Sequence, residues 1–229
     1  MIDNILILGT SHISSDSVNQ IKNTFLDFKP DIVAVELDKN RLFSLKHPQK
    51  KIKANIFLQI KTFGVTGFVF ATLGKYLQKK LGSIVKTNPG ADMLMAVNLA
   101  QNNSLQLELM DQDIQITLKK FSKAFSFKEK MKLLKDLILS PFSKKQKINF
   151  DIKKVPEEKI ITQLIDQVKS TYPSIYFVFI EERNQIMAKN LIRLHKLHPD
   201  KKIFAVVGAG HKEGMLLLLK KYNLLFEKP

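Results

Sequence analysis

The sequence predicts an α/β fold: a central, mostly parallel sheet built from two pseudo-equivalent halves, with helical insertion or cap segments. Three observations lead there. The chain opens with Ile5 to His12, ILILGTSH, and closes with a near copy, Phe204 to His211, FAVVGAGH. Each is a short apolar run ending in glycine, two small residues and histidine, which reads as a buried strand with a tight exit turn. Asp31 to Leu37, DIVAVEL, is a third such run, and an amphipathic stretch separates it from the first; a strand–helix–strand start implies parallel strands. Finally, 229 residues that are 45% hydrophobic suffice for one large domain or two small ones, and residues 1–229 are read as a single domain.

Composition narrows the chemistry. There is no cysteine, which excludes disulfide scaffolds, zinc fingers and thiol nucleophiles. Net charge is +16, nearly all of it from lysine. That balance favours acidic partners such as nucleic acid or anionic lipid, although a lysine-rich genome leaves the same signature. Met1 leads straight into a strand with Asp3 and no basic stretch, so no secretory signal is expected and the location is read as cytoplasmic or membrane-associated.

The elements follow in order. Strand one is predicted over Asn4 to Leu8. Ser14-Ser15-Asp16 then reads as a helix cap, with Val18, Ile21, Phe25 and Phe28 at helical spacing until Lys29-Pro30 ends the helix. In strand two, Glu36 is a carboxylate inside an apolar run, and Asp38 and Arg41 follow on the rim. Residues 52–81 form a first helical insertion. Its uncharged part, Thr62 to Gly74, is too short for the roughly twenty residues of a spanning helix. A buried or cap helix is the first reading, and an interfacial membrane helix bracketed by Lys61 and Lys75 the second. Asn88-Pro89-Gly90 is a loop before a helix over Ala91 to Leu99 that begins near Asp92. Strand three covers Leu105 to Met110, and Asp111 and Asp113 cap the helix holding Thr117.

A second insertion, about 119–147, carries ten lysines against Glu129 and Asp136. Phe121, Phe125, Met131, Leu134, Leu137 and Ile138 supply its apolar face, so it reads as amphipathic helix broken at Pro141. Its aromatics sit on the packing face and do not interleave with the lysines, which argues against a nucleic-acid surface. Pro156 to Val168 is a further amphipathic helix. The next runs from Pro173, a proline suited to the first turn, to about His195. Its buried stripe is Tyr176, Phe179, Ile180, Met187, Leu191 and Leu194, and Arg183 falls on that stripe with Glu182 beside it. A buried unpaired charge costs several kcal/mol, so these two need partners or ligands; a buried ion pair tying the helix to the sheet is the plain structural reading. Lys202 to Val207 is the last strand, then GAGH and a closing helix, Glu213 to Lys221.

Ligands of such sheets sit beyond the carboxyl ends of the strands. The two GxxH turns would therefore bring His12 and His211 to one edge of the sheet, beside Glu36. The set resembles the TraB/PrgY pheromone-shutdown family, related to the Tiki proteases and more distantly to the ChaN and EreA groups. The matching segments are GTSHISSDSV, KPDIVAVELDKNR, PGADM, LMDQDIQITL, the helix with EERNQIMA, and VVGAGHKEGM, in the family's order and across most of the chain.

The resemblance implies a metal-dependent, peptidase-like hydrolase acting on a peptide or small signalling substrate. His12, Glu36 and His211 are its expected metal ligands, for a divalent Mn, Co or Zn ion. Two imidazoles and a carboxylate can hold such an ion with a position open for water. His12, Glu36, Glu182, Arg183 and His211 form the expected catalytic set, with Glu36 or Glu182 as general base and Arg183 steadying an oxyanion. Arg41, Asp92, Asp111, Asp113 and Thr117 are expected to bind substrate. Two positions depart from the family pattern: Asp92 replaces a glutamate, and Asp111-Gln112-Asp113 lacks the arginine between its aspartates, removing a bidentate anion contact. Many members continue into a hydrophobic membrane region after the second GxxH helix, so a chain ending at Pro229 reads as a short member or a trimmed one. The alternative reading is a non-catalytic module that sequesters a peptide or signal in the same cleft, with membrane association. A membrane-surface or nucleic-acid adaptor built on the basic helices comes third. Homo-oligomerisation is left open.

Overall fold

The computed structural model describes residues 4–10, 15–47, 55–85, 90–139 and 158–226. His12, Ser14, the Asn88-Pro89 turn, Pro141, Pro156 and Pro229 lie outside those ranges. In chain order the elements are β1 (Ile5–Thr10), α1 (Ser15–Phe28), β2 (Ile32–Val35), α2 (Lys39–Lys46), α3 (Ile56–Val85), α4 (Ala91–Asn102) and β3 (Gln106–Leu109). There follow α5 (Ile114–Ala124), α6 (Phe127–Leu139), α7 (Glu158–Thr171), α8 (Pro173–Tyr176), α9 (Glu182–Leu197), β4 (Ile203–Gly208) and α10 (Ala209–Phe226).

The four strands form one parallel sheet in the order β1-β4-β2-β3, as the α/β expectation requires. The last strand slots between the first two. Thr10 therefore pairs with Gly208, and Val35 pairs with both Val206 and Leu109. β1 and β4 thus end at the same edge of the sheet. β2 and β4 are buried at every position because helices cover both faces. On one face Ile32, Ala34, Ala205 and Val207 pack against Met187, Leu191 and Leu194 of α9 and Met215 of α10. On the other, Val33, Val35, Phe204 and Val206 meet Ile21 and Phe25 of α1 and Met93 and Val97 of α4.

A third core lies off the sheet. Phe121 of α5 is fully buried, its ring 4.6 Å from Phe70 of α3, 4.7 Å from Phe125 and 5.1 Å from Phe179. α3 is thus a cap helix, as first read. Its face with Phe63 is buried, while Phe57, Val65 and Val69 are exposed. Gly64 bends it with φ of 76°, and a Cβ there would collide with Ser122 Oγ. Among the described residues no helix is long and apolar enough to cross a membrane.

Two local structures differ from the sequence reading. The helix from Pro173 is interrupted by a π turn, Phe177–Glu181, which slips the phase of the stripe. Its later half (Met187, Leu191, Leu194) packs on the sheet, whereas Phe179 joins the aromatic cap. The basic insertion breaks earlier than Pro141, between α5 and α6. Ser126 and Glu129 form a capping box there: Glu129 N donates to Ser126 Oγ (3.2 Å) and Ser126 N to Glu129 Oε2 (3.1 Å).

Glu129 also accepts from Ser174 N (2.8 Å) and Ser174 Oγ (2.6 Å), fastening α6 to α8. Burial pushes its carboxyl upward, but the hydrogen bonds from Ser174 and Ser126 outweigh that and hold it below its ordinary 4.5. A lowered folded-state value gives stability that is present above the unfolded value and lost as pH falls through the folded one. The wild type should accordingly lose unfolding free energy relative to Glu129→Gln as pH drops below about 4.5, measured by urea unfolding from pH 7 to 3. Parallel curves would show that the carboxylate carries no such linkage.

Candidate functional site

Glu36 stands one residue beyond β2. Its backbone still pairs with the sheet through Val206 O (3.0 Å), and its Oε2 accepts from Gly208 N (2.6 Å) at the end of β4. Its Oε1 accepts from Arg183 Nη2, in the first turn of α9. The same guanidinium forks onto Asp111, two residues beyond β3, with Nε to Oδ1 at 3.1 Å and Nη2 to Oδ2 at 2.6 Å. Nη1 donates to Phe179 O (3.2 Å) in the π turn and lies 3.0 Å from His211 Nε2. All these side chains are nearly closed to solvent. Burial alone would pull the Arg183 pKa down; the charges of Glu36 and Asp111 and their hydrogen bonds outweigh it and raise the pKa, so the side chain stays cationic.

His211 lies in the first turn of α10, the helix that leaves β4. Its Nδ1 is 2.6 Å from Asn184 Oδ1 and its Nε2 is 3.5 Å from Glu36 Oε1. A guanidinium has no acceptor, so its contact with Nε2 needs a lone pair there; Nδ1 then carries the proton and donates it to Asn184. Asn184 reaches the ring because Gly214, one turn along α10, has no Cβ. A methyl group there would collide with the Asn184 amide.

Around this cluster stands a rim of capping acids. Asp38 caps α2 by accepting from Asn40 N (2.8 Å) and Arg41 N (3.0 Å), and its Oδ2 is buried with no hydrogen bond. Arg41 Nη1 donates to Asp111 Oδ2 (3.1 Å), so two of the chain's three arginines bind one aspartate. Asp113 caps α5 through Gln115 N and accepts from Asn40 Nδ2 (2.9 Å). Gln112, in the place of the family's arginine, donates to buried Thr117 Oγ1 at 2.9 Å. Thr10 at the end of β1 holds Asp92 Oδ2 at 2.5 Å, bringing the first turn of α4 to the same edge.

Of the residues expected to act together, Glu36, Arg183 and His211 converge, with Asp111 and Arg41 behind them. Glu182 does not join them: it turns towards α5, where Lys120 Nζ donates to its Oε1 at 2.5 Å. Asp113 and Thr117 serve the start of α5. His12 lies outside the described residues. Among the described residues no group of three or more His, Asp or Glu is placed to hold a metal ion; Glu36 and His211 offer two donors. Asn184 went unnoticed in the sequence. Its signal was an amide beside the anomalous arginine on an otherwise apolar helix face.

The fold is thus a parallel α/β sheet with a buried acid, arginine and histidine gathered beyond β2, β3 and β4, the edge where ligands of such sheets sit. The chain belongs to the TraB/PrgY/gumN family, whose profile matches residues 3–224. It is similar to an uncharacterized protein of Methanocaldococcus jannaschii, 35% identical over 95% of this chain and 53% of that protein. It is also similar to TraB domain-containing proteins of mouse (23% identical) and human (22% identical), over 92% of this chain and 61% of each. The chain spans little more than half the length of these relatives.

The two ion pairs should differ sharply in worth. Arg183→Met takes from buried Glu36 its arginine and leaves Asp111 with Arg41 alone, a loss of about 3–5 kcal/mol. Lys120→Met breaks a pair whose lysine is 43% exposed and should cost no more than about 1 kcal/mol. Denaturant unfolding of both variants checks this, and equal losses would contradict it.

Proposed function

We propose that the chain is a metal-dependent hydrolase acting on peptide-type substrates, with its site centred on Glu36, Arg183 and His211. The supporting observation is the 3.5 Å approach of Glu36 Oε1 to His211 Nε2, with the imidazole already oriented by Asn184. The donor chemistry suits a divalent ion. A carboxylate oxygen stands beside an imidazole whose other ring nitrogen is hydrogen-bonded, as in metal-bound histidines, and an ion would take from Arg183 the two lone pairs it occupies. The edge also carries buried acids, Glu36, Asp38, Asp92 and Asp111, with Arg183 and Arg41 paired to two of them. Glu36 and His211 would hold the ion, and His12 is the third donor that the family resemblance supplies. An ion held there would supply a coordinated water of pKa about 7 as nucleophile.

The protein's own groups do the rest. Asn184 and Gly214 fix the ring of His211. Arg183 holds Glu36 in place and presents a permanent positive charge to a developing oxyanion. Asp111 and Arg41 keep Arg183 from swinging out. A second reading has an observation of its own. Arg183 already satisfies Glu36 Oε1 and both Asp111 oxygens, which suits a cleft that sequesters a peptide without cleaving it.

Elemental analysis and cleavage of a mixed peptide library, for wild type, His211→Ala and Glu36→Gln, decide between them. Hydrolysis predicts a stoichiometric divalent metal in the wild type, lost in both variants, with cleavage falling about a hundredfold or more. Peptide binding that survives chelation, without metal or turnover, would establish sequestration instead.

A further inference from the structure

Behind His211 lies a cavity of about 420 Å³. Its floor is the end of β1 and the first turns of α10, and α7 and the π turn form its walls. Leu8, Ile161, Ile165, Ile180 and Leu217 give it an apolar lining. That volume falls within the range of small-ligand pockets, which are mostly apolar with a few placed polar groups. Asn184 belongs both to its wall and to the catalytic cluster, since its Oδ1 accepts from His211 Nδ1. Asn184 therefore links the cavity wall to the imidazole. Asp166 and Glu213 also line it, and both are exposed at its mouth. Glu213 accepts a 3.5 Å hydrogen bond from Thr162 and so spans from α10 to α7 across the opening.

We propose that this cavity is the specificity pocket of the site and receives an apolar side chain of a peptide, with the two mouth carboxylates turning away acidic residues. The pocket rests on the hydrolase reading for the peptide's fate, but binding to it does not. An apolar group entering it leaves water for aliphatic walls, which is favourable in proportion to the area buried. An aspartate would enter against Asp166 and Glu213 and lose its hydration as well. Lys212, also in the lining, lies next to His211 in sequence and gives the pocket one cation on the side of the cluster.

The test uses the full chain and four dye-labelled, blocked tetrapeptides of alanine carrying a single Leu, Phe, Asp or Lys. Affinity is read by fluorescence polarisation, with cleavage followed separately. The Leu and Phe peptides should bind at least about tenfold tighter than the Asp peptide. Ile165→Trp, which fills the cavity from α7, should erase that preference. So should Leu217→Trp, at a position 66% exposed where a larger side chain does not strain the core, should the first variant fold poorly. Equal affinity for all four peptides, or a preference that survives both tryptophans, would overturn the pocket. Preference without cleavage under any divalent metal removes the hydrolase reading and leaves the pocket. Cleavage with no preference for apolar residues removes the pocket and leaves the hydrolase.

Discussion

A guanidinium buried between two carboxylates fixes the architecture of this molecule. Arg183 could not leave water alone, since an unpaired buried charge costs several kcal/mol. It is tolerated because Glu36 and Asp111 arrive together. β2 and β3 are parallel neighbours with Val35 opposite Leu109, so residues one and two positions further on leave the sheet at the same edge. To reach both, α9 must begin at that edge. Met187, Leu191 and Leu194 then run back along the sheet and supply one of its two cores. The direction of α9, the position of Asn184 and the orientation of His211 follow from where one arginine finds its partners.

The strand order sets when this can happen. β4 lies between β1 and β2, so the centre of the sheet comes from the far end of the chain, with Ile5 beside Ile203. Gly208 N, which holds Glu36 Oε2, and His211 both arrive with that last strand. Until it is inserted, the sheet lacks its middle and Glu36 lacks two of its contacts. Completion of the core and assembly of the site are therefore one event, dominated by contacts between remote residues. Such topologies close slowly, because loop entropy is spent before the contacts reward it.

Much of this was legible in the sequence for physical reasons. The strands announced themselves as unbroken apolar runs because helices cover both faces of the sheet. Glu36 and Arg183 stood out as charges in apolar patterns, and each proved to be the other's partner. What stayed hidden depended on tertiary approach. Periodicity cannot tell that the last strand enters between the first two. A π turn adds one residue to a stripe without altering its composition, so Phe179, read on one stripe with Met187 and Leu191, packs in the aromatic cap instead. Glu182, adjacent to Arg183, looked equivalent to it but points a different way around the helix, towards Lys120. The role of Gly214 came from a close contact that only coordinates show. The Ser126–Glu129 box, by contrast, was a sequence signal and was overlooked among the surrounding lysines.

Charge makes the strongest case that the edge is a site and not merely a fastening. The whole chain carries +16, which by itself favours anionic partners. Yet Glu36, Asp38, Asp92 and Asp111 are buried at the carboxyl edge of the sheet, with Arg183 and Arg41 paired to two of them. Screening confines each charge to about 10 Å at ordinary salt, so a ligand at this edge meets the local surplus and not the global sum. If stability were the whole purpose, Arg183 with one carboxylate would suffice, because every further buried acid adds desolvation that its partners only partly return. Asp38 even keeps a buried oxygen without a hydrogen bond. An excess of buried acid beside an oriented imidazole is costly to the fold, and that cost is accounted for if the edge has a cationic ligand to receive.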